Sequence, residues 1–135
     1  MNSIKSKKYL DLVKRFNDVD FYPNLSGRDR IMKVITSDAP CFYCELDWAL
    51  RKIAQLKKGV SVNQSNSLSF RMYSLICERA ERSMRGGETF ADAVERIISS
   101  PAPSFFCTET TMYRALAYVR LMKRRRYVHS LASVS

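Results

Sequence analysis

Cys41 and Cys44 stand three positions apart, with Cys77, Cys107 and the single histidine, His129, elsewhere in the chain. Thiolates at a C-x-x-C spacing can hold zinc or exchange disulfides, so metal and thiol-redox chemistry come first. The rest of the sequence argues against both. The segment around Cys41 recurs later with Cys107 in the place of Cys44 but Ser104 in the place of Cys41, so the pair is not reproduced. Cysteines flanked by aromatic residues at both places suit small core hydrophobes. Four cysteines in 135 residues are too few for a disulfide-held scaffold and are read as reduced thiols. His129 has no acid near it in sequence and reads as solvated. No Gly-rich phosphate loop, Ser/His/Asp order or carboxylate pair on a shared helix face is present, and Gly86-Gly87 reads as a helix stop. The chain is therefore expected to be no enzyme and to need no metal or other cofactor.

The recurrence itself is the strongest signal. At an offset of 63, DRIMKVITSDAPCFYC (29–44) overlies DAVERIISSPAPSFFC (92–107) without a gap, with seven of sixteen positions identical. An amphipathic period could align two helices by chance; the shared A-P-x-F-[FY]-C turn is what makes a duplication the expectation. Ile31, Val34 and Ile35, like Val94, Ile97 and Ile98, form one helical face. Ser26 and Thr89 precede these helices as caps, each followed three residues later by Asp29 or Asp92. Pro40 and Pro103 turn the chain away from helix after each one, and Phe42 and Phe105 are expected beneath the turns as core plugs.

These signals predict an all-α fold of six helices, at about 6–17, 27–37, 43–58, 67–84, 90–99 and 109–126. Leu10, Val13 and Phe16 or Asn17 form the inward line of the first. The organisation expected is one tri-helical repeat over 1–58, a polar linker at 59–66, a second repeat over 67–126 and a frayed tail at 127–135, related by a pseudo-two-fold and sharing one compact domain. Helix, helix, turn, helix in this space is the plan of a helix-turn-helix unit, although the turn is longer than the tight motif uses.

Charge then names the partner class. Lys and Arg number 23 against 13 acids, a formal +10, which favours an anionic partner. From Thr110 onward there are six basic residues and no acid. On the third helix, the side opposite Leu46, Ala49, Leu50, Ile53 and Leu56 carries Asp47, Trp48, Arg51, Lys52, Gln55 and Lys58. On the sixth, opposite Met112, Ala115, Leu116, Val119 and Met122, lie Tyr113, Arg114, Ala117, Tyr118, Arg120, Leu121, Arg124 and Arg125. Arginine reads guanine edges and phosphates bidentately. The expected nucleic-acid contacts are Arg51, Lys52, Gln55 and Lys58 on one helix and Arg114, Tyr118, Arg120, Lys123, Arg124 and Arg125 on the other, with DNA favoured over RNA. The run Lys123–Arg126 has a second explanation, since cations also complement the dipole at a helix C-terminus. Trp48 is either a base or protein contact or a residue buried between the repeats. A helical protein-interaction adaptor using Trp48 is the alternative function.

No apolar run is long enough for a membrane span, and the N-terminus lacks a signal-peptide core, so no membrane partner and a cytoplasmic place are expected. The turns Ala39-Pro40-Cys41-Phe42-Tyr43 and Ala102-Pro103-Ser104-Phe105-Phe106 resemble one found in short basic proteins encoded in Bacteroidota genomes and their mobile elements. That resemblance brings no activity with it. It implies a bacterial or phage-like origin and fits a regulator or accessory factor of such an element.

Overall fold

The computed structural model describes residues 3–18, 24–25, 27–59 and 68–134, with side chains up to 126. All regular structure among them is helical: α1 (Ser3–Phe16), α2 (Gly27–Ile35), α3 (Leu46–Lys57), α4 (Leu68–Ser83), α5 (Phe90–Ile98) and α6 (Glu109–Val134). The only β feature among the described residues is an isolated antiparallel bridge between Ala39 and Ala102. The cap expected at Ser26 and the linker residues 60–66 lie outside the described residues.

Three local expectations need correction. The third helix starts at Leu46 rather than at 43, because Glu45 is extended (φ −85°, ψ 147°) and the turn aromatics occupy the preceding positions. The segment expected to fray is helical, and α6 continues to Val134. In α1 the buried line is Tyr9, Leu12 and Val13; Leu10, expected inward, is 51% exposed.

The helices group into two compact units, one of Met1–Ile35 with Cys107–Ser135 and the other of Thr36–Phe106. These differ from the contiguous stretches 1–58 and 67–126. The third helix of each half groups with the first two of the other half: α6 with α1 and α2, and α3 with α4 and α5. A local reason lies in residues 36–45. A turn of three or four residues would fold α3 back on α2. Here ten residues intervene, and the backbone N–H of Ala39 is bonded not to its own half but to the carbonyl of Ala102 at 2.8 Å.

In the first unit α1 packs chiefly along α6, and α2 touches both. Its core is Tyr9, Leu12, Val13, Ile31, Val34, Ile35, Met112 and Ala115, all buried. The rings of Tyr9 and Tyr118 meet at 5.6 Å, and Arg28 on α2 pairs with Glu109 at the start of α6, Nε to Oε1, at 2.9 Å.

The second unit is built on α4 against α5, with α3 across both. Thr89 caps α5 as expected. The Asp92 N–H donates to Thr89 Oγ1 at 3.1 Å and the Thr89 N–H donates back to Asp92 Oδ2 at 3.4 Å, a reciprocal capping box. Arg96 ties α5 to the end of α4. It donates to both oxygens of Glu88, at 2.9 and 3.2 Å, and to the Ser83 carbonyl at 2.9 Å. Hydrogen bonds from the Arg96 guanidinium and the Arg85 backbone hold the Glu88 carboxyl down at about 2.

The two Ala-Pro turns belong to this unit. Ala39 and Ala102 exchange both backbone bonds, at 2.8 and 2.9 Å. Phe42 stacks near Phe106 (6.0 Å between centroids) and Tyr43 near Phe105 (5.9 Å). Phe42 and Phe105 are each only 2% exposed, the plugs that the turn motif suggested. Phe106 takes a left-handed φ of 49°, where a side chain costs about 1–2 kcal/mol. The Phe106 N–H is received by Ser104 Oγ at 3.0 Å, which helps hold that conformation.

Candidate nucleic-acid interface

Cations engaged within the fold recur across both units. Arg28, Lys57, Arg82 and Arg96 pair with Glu109, Glu81, Glu78 and Glu88 at 2.8–3.0 Å. Arg79 donates to the Pro101 carbonyl and lies over the Phe42 ring; Arg30 lies over the Phe16 ring. α6 gathers on one helix six cations that are not engaged in this way. Arg114, Arg120, Lys123, Arg124, Arg125 and Arg126 are all exposed, and none forms an ion pair among the described residues.

Their placement on α6 follows from its period. Met112 and Ala115 are fully buried, and Val119 and Met122 continue their line half-buried. The opposite side presents Tyr113, Arg114, Ala117, Arg120, Leu121, Arg124 and Arg125, every one exposed. Tyr113 and Leu121, at 55% and 45% exposure, place apolar surface among the arginines. Tyr118 does not join that side. Its hydroxyl lies 3.2 Å from Ser6 Oγ and its ring meets Tyr9, so it is a packing residue of α1 and α6. Arg126, absent from the expected contacts, falls on the line of Met112, Ala115, Val119 and Met122. Periodicity alone assigns it inward, yet it is exposed along with Lys123, Arg124 and Arg125.

The expected residues of α3 form a weaker constellation. Arg51 and Lys58 are exposed, whereas Lys52 and Gln55 are half-buried. Trp48 is 46% exposed, with Lys52 Nζ 4.9 Å and Arg51 Cζ 5.6 Å from its ring centroid. Cations at i+3 and i+4 above an indole are attracted by its ring quadrupole, so these two charges are partly occupied within the helix. Asp47 adds an acid to the same helix, and Lys57 is taken by Glu81 at 3.0 Å. Burial drives the neighbouring Tyr73 hydroxyl up to about 12, so it stays protonated at neutral pH.

All four cysteines are free and half-buried. Burial raises the Cys107 thiol, and burial with a hydrogen bond to Glu81 raises Cys77; its Sγ donates to Glu81 Oε1 at 3.5 Å. Among the described residues no three or more His, Cys, Asp or Glu side chains gather as a metal site. No described helix is long and apolar enough to cross a membrane. No protein-family model, curated protein or solved structure matches the chain.

Proposed function

We propose that the chain is a nucleic-acid-binding protein that uses α6 as its principal contact, with DNA as the favoured polymer. The observation that carries this is the charge of α6. After Glu109 it has six cations and no acid, all six exposed and unpaired among the described residues. The helix dipole gives no alternative account. Its effect is confined to the terminal turn, and the last turn of α6 holds no basic residue because the helix runs on to Val134. Folding gives no reason either. Arg120 and Arg124 are i,i+4 like charges, an arrangement that destabilises a helix by about 0.2–0.5 kcal/mol. A polyanion reverses that cost.

A tandem duplication with exchanged third helices is the architecture we propose behind this. The bounds of α2 and α5 differ by 63 at both ends, as do the starts of α3 and α6. The Ala39–Ala102 bridge joins residues 63 apart, and the ring pairs Phe42–Phe106 and Phe105–Tyr43 interchange under the same offset. A helix-turn-helix-like unit would then be a composite of α1, α2 and α6, with α6 in the recognition position. The acid-free helix, the absence of any catalytic constellation in the sequence and the turn resemblance together suit a non-enzymatic, cytoplasmic regulator or accessory factor of a phage or mobile element.

Titrating the full chain against unrelated duplexes at rising salt tests the reading. Five phosphate contacts predict a loss of affinity of roughly 500-fold between about 50 and 200 mM salt. Absence of salt-sensitive binding to any duplex or single strand at low ionic strength ends it. The adaptor alternative has the exposure of Trp48 in its favour, but the side chains over that ring are cations rather than an apolar patch.

A further inference from the structure

Four consecutive residues, Lys123, Arg124, Arg125 and Arg126, are all exposed. Four successive helical positions point to every side of an α-helix, so no side of α6 is covered there. Up to Met122 the line through Met112, Ala115 and Val119 stays buried or half-buried, and Arg126 is the next position on it. Over Lys123–Arg126, about 6 Å at 1.5 Å per residue, the helix has therefore passed the edge of its unit while remaining helical. A helix held on one side can offer a groove only its outer face. This length has cations on both the outer side (Arg124, Arg125) and the side that faces the core earlier (Lys123, Arg126).

Building on the nucleic-acid reading, we infer that this free-standing length of α6 is a major-groove probe for B-form DNA duplex, flanked by phosphates of both strands. The dimensions favour that form. An α-helix with side chains is about 10–12 Å across, close to the roughly 12 Å width of the B-DNA major groove. The major groove of an A-form RNA duplex is too deep and narrow to admit it. With both walls of the groove anionic, cations on opposite sides of the helix each find a phosphate, which a helix lying flat on one backbone would not allow.

The test uses the full chain with four probes of matched length: a DNA duplex, the RNA duplex of the same sequence, one DNA strand alone, and a DNA duplex whose thymines carry bulky 5-substituents that fill the major groove. Expected is affinity for the plain DNA duplex about tenfold or more above the other three. Lys123→Glu and Arg126→Glu should each flatten the salt slope by about 0.9, as Arg124→Glu does. Equal affinity for the groove-filled duplex or the RNA duplex overturns the inference and leaves nucleic-acid binding standing. Loss of slope for Arg124→Glu with none for Lys123→Glu and Arg126→Glu overturns it in the same way, because contact would then be one-sided. Salt-insensitive or absent binding to all four probes defeats the broader reading as well. Circular dichroism of each variant checks that α6 is intact.

Discussion

α3 and α6 start 63 residues apart and each opens its own compact unit to packing through a fully buried residue at the same relative position, Ala49 and Met112. Their fates then diverge. α3 stops at Lys57, before Gly59 takes a left-handed φ of 69°, and its charges are mixed: Asp47 beside Trp48, Arg51 and Lys52 over the indole, Lys57 on Glu81. α6 is 26 residues long, more than twice α3, and spends no acid after its first residue. One helix is trimmed to what packing needs, and the other is carried past its packing partners with charge that no fold contact uses. That concentration of unengaged charge on α6, compared with the mixed charge of α3, is what the proposed function rests on.

The largest expected effect lies at the turns. Phe42 and Phe105 lie in turns of the same A-P-x-F-[FY] pattern and are equally buried. Phe105→Ala, and Phe42→Ala beside it, should each cost about 3–5 kcal/mol by chemical denaturation, the usual penalty for emptying a buried aromatic site. A loss near zero at one position alone would show that the two turns are not equivalent.

Acid should separate the two units next. The Glu88–Arg96 pair belongs to the unit that contains α3, and the carboxyl is held at about 2 against an ordinary 4.5. A depressed carboxylate pKa gives stability that is present above 4.5 and is lost as pH falls towards 2. Wild-type protein should therefore lose more stability across that window than Glu88→Gln. Identical acid profiles would remove the pair from the account.

Thiol reactivity is a milder probe. Burial raises Cys107, and the thiolate is the reactive form, so a thiol reagent at neutral pH should modify it several-fold more slowly in the folded chain than after denaturation. Fast modification in the folded state would show that the start of α6 is open. The smallest effect belongs to Trp48→Ala. At 46% exposure the ring should cost about 1 kcal/mol or less to remove and leave nucleic-acid affinity within about twofold. A large loss of binding there would move the interface to α3.

Much of this was legible in the sequence. The six helices follow from period and punctuation, and the Thr89–Asp92 box and the buried Phe42 and Phe105 from residue type and spacing. What could not be read was partner choice among helices. Periodicity says which face of α3 is apolar, not whether α2 or α4 and α5 cover it, and the backbone exchange of Ala39 with Ala102 is a long-range event that leaves no local mark. Tyr118 shows the same limit at one residue: its wheel position is outward, yet its ring and hydroxyl find Tyr9 and Ser6. At the candidate site, the acid-free run after Glu109 was plain. That Arg126 lies beyond the edge of the core was not, because its register matches Met112 and Val119 and only exposure tells them apart.

In the proposed function α6, and not α3, carries the nucleic-acid contact. The most direct test is the salt dependence of duplex binding for three forms of the full chain: wild type, Arg124→Glu with Arg125→Glu, and Arg51→Glu with Lys52→Glu. The α6 pair should flatten the slope of log affinity against log salt by about two units, near 0.9 for each lost phosphate contact, and weaken binding to all sequences alike. The α3 pair should change the slope by less than half as much, since both cations are engaged over Trp48. Equal slopes for wild type and the α6 pair, or a larger change from the α3 pair, would contradict the account.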